Sequence, residues 1–144
     1  MLLLFLSSLI LATEIQVVFV DYDRDIGVVK RFPLEEGEHP IFSIFQHLYD
    51  PPPGLRSFVP PGCLRAAYIL EDAVVVDLRS ERLNLSSFYA ERMMLYQILL
   101  SIFRSLDVEK VYIMKDGKPA KVLWRFVDVS LSFGREEWTE WPVH

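Results

Sequence analysis

Apolar and polar positions follow two different periods along this chain, and the switches between them mark its elements. From Ile15 the run IQVVFVDYD is dense in β-branched and aromatic residues, and beyond the polar turn DRDIG a second run covers Val28 to Phe32. Two such runs across a short polar turn predict a β-hairpin. The next segment, EEGEHPIFSIFQHLYD, changes period. Its Ile41, Phe42, Ile44, Phe45, Leu48 and Tyr49 fall on one helical face, with Pro40 suited to the first turn and Glu36 and Glu38 near the positive end of the helix dipole.

Downstream, LRAAYILEDAVVVDL holds two strand-like runs broken at Glu71-Asp72, a second hairpin whose turn lacks glycine. Ser86 and Ser87 are candidate N-caps for a long helix reaching about Leu106, striped by Phe88, Leu95, Ile98, Leu99, Ile102 and Leu106. KVYIM, the turn KDGKP and AKVLWRFV then form a third strand pair, with Asp116-Gly117 as the hairpin signal. The order β-β-α-β-β-α-β-β predicts an α+β fold with two helices packed on one face of a mostly antiparallel or mixed sheet.

Composition narrows the function classes. The 144 residues are 51% hydrophobic with a single cysteine and a formal net charge of −5, which fits one domain with a real core. An acidic chain without a Lys/Arg run is a poor nucleic-acid binder, so no nucleic-acid partner is expected. The first twelve residues, MLLLFLSSLILA, are apolar or small before Thr13 and Glu14. At ~1.5 Å per residue they reach about 18 Å, short of a membrane core of roughly 30 Å. Residues 1–12 therefore read as a signal peptide, 13–135 as the domain and 136–144 as a C-terminal tail, with export to the cell envelope or periplasm. Membrane contact is expected only through an uncleaved N-terminus.

The stretch DPPPGLRSFVPPGC, residues 50–63, packs five prolines and two glycines into one connector. Read together with VVVDLRS, SSFYAERMMLYQILLSIFRSL and VEKVYIMKDGKPAKVL, it resembles the GerMN domain family of sporulation and germination proteins. The matching positions are Pro52, Pro53, Gly54, Leu55, Ser57, Pro61, Gly62, Asp77, Leu78, Glu91, Gly117 and Pro119. Cys63 stands where the family loop has threonine. The resemblance implies an extracytoplasmic domain without catalysis or cofactor, similar in fold to ring-building modules and engaged in assembly or binding.

Two surfaces are candidates for that binding. The proline loop fixes its own path, because proline sets φ and ends the preceding helix; it would present Leu55, Arg56 and Phe58 to a partner. A second stripe on the long helix, Met93, Tyr96 and Leu100, lies round the cylinder from Leu95. Either it is an open patch for self-association or an envelope protein, or the tail carrying Trp138 and Trp141 folds back over it. Peptidoglycan is the alternative ligand, at the proline loop and its Arg56. Catalytic and metal signatures are lacking. Asp21, Asp23 and Asp25 resemble an EF-hand start, but Gly27 falls one place late and Phe32 occupies the twelfth position. His39, His47 and His144 have no metal-helix spacing, Ser57 has no nucleophile-elbow spacing, and Asp77 with Glu91 would make an acid pair only if a pocket joined them.

Overall fold

The computed structural model describes residues 13–138, 141, 143 and 144; the signal-peptide reading of residues 1–12 lies outside the described residues. Strands β1 (Glu14–Asp21) and β2 (Ile26–Pro33) form the first hairpin, in register from Glu14 opposite Pro33 to Asp21 opposite Ile26. Helix α1 (Pro40–Tyr49) follows, then β3 (Leu64–Ile69), β4 (Ala73–Leu78), helix α2 (Phe88–Ser105), β5 (Lys110–Lys115), β6 (Lys118–Pro119) and β7 (Phe133–Gly134). The fold is α+β, with two helices and mixed sheets. The first hairpin stands as its own two-stranded sheet, while β3-β4-β5 carry β6 and β7 along the far side of β5. β3 runs antiparallel to β4, and β4 parallel to β5, so α2 serves as the crossover that a parallel pair requires.

Period-two alternation divides the large sheet into an inner and an outer face. Val74, Val76, Leu78, Val111 and Ile113 point inward and pack with Met94, Leu95, Ile98, Leu99 and Ile102 of α2. Ile41, Ile44, Phe45 and Leu48 of α1 join the same core. Both helices also pack on β1. There the strand splits its side chains: Ile15, Val17 and Phe19 enter the main core, whereas Val18 and Val20 enter a smaller cluster with Met93, Leu100 and Trp141.

The caps depart from expectation in one place. Ser87 caps α2 through its hydroxyl, which accepts from the Ala90 amide at 3.1 Å. The cap of α1 is His39, whose ring accepts from the Ile41 amide at 3.2 Å, and the first turn holds no acidic residue. Glu36 and Glu38 sit upstream of the helix. At the other end of α2, Arg135 donates to the carbonyls of Phe103, Leu106 and Val108 at 2.7, 2.6 and 3.0 Å, covering acceptors the last turn leaves open.

The segment AKVLWRFV does not extend as a strand. β6 is two residues long, and the chain then curls, with Leu123 donating to the Val127 carbonyl at 2.9 Å. The cause lies on α2. The buried Glu91 carboxylate accepts from the Arg125 amide at 2.8 Å, the Phe126 amide at 2.9 Å and the Val127 amide. Those amides are aimed at a charge rather than along a ladder, and a charge-assisted bond outweighs a neutral one.

Candidate functional site

The proline loop is built from one device used twice. In Pro52-Pro53-Gly54-Leu55 the Leu55 amide donates to the Pro52 carbonyl at 3.1 Å, and in Pro60-Pro61-Gly62-Cys63 the Cys63 amide donates to the Pro60 carbonyl at 3.2 Å. Gly54 and Gly62 have φ of 85° and 75°. Proline followed by a positive-φ glycine under such a bond is a type II turn. Between the two turns, Arg56 exchanges both backbone bonds with Val20 at 2.8 Å, so the loop is pinned to β1 at its centre.

Pinning continues along the rest of that strand edge. The free groups of β1 lie at Gln16, Val18 and Val20, and α2 meets the first two with Gln97, Ser101 and Ser105. The Ser101 hydroxyl accepts from the Val18 amide at 2.9 Å, and the Gln97 amide group donates to the Val18 carbonyl at 3.0 Å. Ser105 accepts from the Gln16 amide at 2.8 Å and donates to its carbonyl at 3.0 Å. Four residues of helix rise about 6.0 Å and two of strand about 6.8 Å, so Ser101 and Ser105 keep step with Val18 and Gln16, while the longer Gln97 reaches back to the Val18 carbonyl. Gln97 also accepts from the Phe58 amide at 2.7 Å and donates to the Ser57 hydroxyl at 3.3 Å. One buried side chain thus ties helix, strand and proline loop together.

Of the loop candidates, Arg56 is exposed, its guanidinium 4.7 Å from the centre of the Tyr22 ring. Leu55 and Phe58 are half-buried against the cores. A hollow of about 290 Å³ beside them is lined by Ser57, Phe58, Pro60, Asn84 and Ser86.

The Met93, Tyr96 and Leu100 stripe needs correction as an open patch. Met93 and Leu100 are buried with Val18, Val20 and Trp141, and Tyr96 stacks on Trp141 with ring centres 5.4 Å apart. The tail holds this position by backbone bonds: Val29 donates to the His144 carbonyl and His144 to the Gly27 carbonyl, each at 2.8 Å. A Cβ on Gly27 would come within 2.9 Å of the Trp141 ring, so glycine is what lets the indole close on the hairpin. The Trp138 side chain lies outside the described residues.

The two motif carboxylates are engaged separately. Asp77, 1% exposed, accepts from Arg65 at 2.5 Å and from the Gly117 amide at 3.0 Å. It clamps the Asp116-Gly117 turn, the expected hairpin, whose φ values of 53° and 76° make it type I′. Asp116 in turn accepts from the Ser80 amide at 3.1 Å and from its hydroxyl, bonds that hold its carboxyl below the usual range. Glu91 holds the 125–127 loop, as above. All four oxygens of the two carboxylates already accept, those of Asp77 from Arg65 and Gly117 and those of Glu91 from the 125–127 amides.

The remaining candidates resolve similarly. Burial pushes the Cys63 thiol up to about 12, which makes it a poor nucleophile. Asp21 ion-pairs with Arg24 at 2.8 Å, and Asp25 accepts from the Tyr89 hydroxyl at 2.7 Å. These bonds make a hairpin turn of the aspartate run. Among the described residues no group of three His, Cys, Asp or Glu side chains could hold a metal ion, and no helix is long and apolar enough to cross a membrane.

Sequence reasoning missed Gln97, Ser101 and Ser105, although polar residues at four-residue spacing inside an apolar helix were a visible signal. It also missed the outer face of the large sheet, where Tyr68, Leu70 and Tyr112 are exposed.

Comparison with known proteins extends this geometry. A Clostridium perfringens protein described as a lipoprotein superposes with a TM-score of 0.63 at 20% identity, over 93% of this chain and 95% of its own. The first GerMN domain of the Bacillus subtilis sporulation protein GerM gives 0.71 at 16% identity, over 87% of this chain and 99% of that domain. The tandem GerMN domains of the same protein give 0.72 at 16% identity, covering 86% of this chain and 46% of the pair. No curated protein matches the chain. Residues 12–121 match the family described as Germane: Sporulation and spore germination, and with the proline turns, Asp77, Glu91 and Gly117 all placed as one scaffold, the chain belongs to that family.

Proposed function

We propose that the chain is a non-catalytic, extracytoplasmic interaction or assembly module of the bacterial cell envelope. The observation that carries this reading is the use of Asp77 and Glu91. Both are held by backbone amides, so the family motif builds a rigid frame and leaves no paired acid and base. The C. perfringens relative, described as a lipoprotein, supports an envelope location, with membrane contact only through an uncleaved N-terminus.

A photo-crosslinking residue at Arg56 tests the reading in cells. Discrete adducts with envelope proteins support it, and turnover of a wall substrate by the purified chain would overturn it. A second reading, binding of peptidoglycan, is favoured by Arg56 itself, exposed on the proline loop and held over Tyr22. Adducts with muropeptides in place of proteins would select it.

A further inference from the structure

We infer, resting on the peptidoglycan reading, that the hollow beside the second proline turn is a subsite for one uncharged, N-acetylated sugar ring, and that Arg56 takes the carboxylate of a neighbouring unit on the same glycan strand. At about 290 Å³ the hollow lies at the lower end of the roughly 300–1,000 Å³ of ligand pockets, room for a ring rather than a chain. Its lining sets the charge of the occupant. Ser57, Phe58, Pro60, Asn84, Leu85 and Ser86 contribute to the wall, and no titratable side chain does. An ion entering there would lose water and meet no counter-charge.

Each polar side chain on the wall has hydrogen-bonding capacity left. The Ser57 hydroxyl accepts from the Gln97 side chain and from the Val59 amide, each at 3.3 Å. A hydroxyl has two acceptor lone pairs and one proton, so both pairs are taken and the proton remains to be donated. Asn84 and Ser86 make no side-chain bond among the described residues, and each can donate and accept. That set matches an acetamide with neighbouring hydroxyls, whose carbonyl accepts and whose N–H and O–H groups donate. Phe58, Pro60 and Leu85 supply apolar surface for the C–H face of the ring. The wall is also preformed: Gln97 holds the Phe58 amide at 2.7 Å, and the Cys63 amide closes the second turn on Pro60. Little ordering is left for binding to impose.

The route from the hollow to Arg56 is aromatic. Phe58 meets Tyr89 edge to face with ring centres 5.6 Å apart, Tyr89 meets Tyr22 in the same way at 6.0 Å, and Tyr22 carries the Arg56 guanidinium at 4.7 Å. The Tyr89 hydroxyl donates to Asp25 at 2.7 Å, which fixes the middle ring. Arg56 is exposed and meets no carboxylate among the described residues. A strand that alternates neutral and carboxylate-bearing sugars can therefore seat a ring in the hollow and an acid on the guanidinium fork.

Calorimetric titration of the full chain with chitotetraose, an uncharged N-acetylated glycan, tests the subsite. Saturable binding is expected. Asn84→Ala and Ser86→Ala should each weaken it roughly 5-fold without moving the melting temperature, since neither side chain is bonded within the fold. Arg56→Ala should weaken a carboxylate-bearing glycan strand from digested peptidoglycan roughly 10-fold more than it weakens chitotetraose. No saturation by chitotetraose up to its solubility overturns the inference. So does an affinity indifferent to both Asn84→Ala and Ser86→Ala, or saturation by a free stem peptide in place of the glycan. Wall sacculi captured through Arg56, with Asn84→Ala and Ser86→Ala without effect, would keep the peptidoglycan reading and remove the hollow from it.

Discussion

The two sheets treat their unused surface in opposite ways. β1 has an open edge on the side away from β2, and the backbone groups of Gln16, Val18 and Val20 there are met by Gln97, Ser101, Ser105 and Arg56. The large sheet leaves its outer face bare, with Tyr68, Leu70 and Tyr112 in solvent. An unpaired edge would accept any passing strand, whereas a bare face accepts only a partner of matching shape. The fold seals the edge where contact would be indiscriminate and leaves the face in solvent.

Breaking the sealed side should cost the most. Glu91→Ala strands three loop amides and removes a buried anion they surround; a loss of about 3–5 kcal/mol is expected in urea unfolding. Gln97→Leu leaves the Val18 carbonyl and the Phe58 amide without their partner, for about 2–4 kcal/mol. Ser101→Ala should cost about 1–3 kcal/mol, and because it shares Val18 with Gln97, the double variant should depart from additivity in a double-mutant cycle.

Acid should act on the same side. Burial lowers the affinity of His39 and His47 for a proton, and His47 stacks on Phe32 of β2 with ring centres 3.7 Å apart. The unfolded chain then binds protons more readily than the folded one. Their contribution is fully present above the unfolded value near 6.5 and is lost as pH falls through the lowered folded values. The urea midpoint should drop between pH 7 and 5, and less steeply in His47→Phe. The smallest effect belongs to the bare face: Tyr68→Ser and Tyr112→Ser should each move the stability of the chain by no more than about 0.5 kcal/mol in the same urea unfolding.

Legibility in the sequence followed how local each cause was. Asp116-Gly117 and the two Pro-Gly turns were readable as short peptides, since their conformations are set by the residues themselves. The main stripe of α2 was readable from periodicity. AKVLWRFV was misread because its β-rich composition is overruled by a carboxylate far upstream on α2. Met93 and Leu100 were ambiguous for a similar reason: only tertiary structure shows that Trp141 returns to cover them. The polar run Gln97, Ser101 and Ser105 was visible, yet its purpose depends on a strand some 80 residues earlier, at |i−j| of 79 for Gln97 and 83 for Ser101.

The loop held by Glu91 has a consequence for amide exchange with heavy water. Arg125, Phe126 and Val127 belong to no strand or helix, and two of the three side chains are exposed. Their amide protons are nonetheless bound to a fully buried carboxylate. They should exchange as slowly as the core that positions Glu91 allows, and lose that protection when α2 opens. In an exchange experiment this irregular stretch would report on the integrity of the helix.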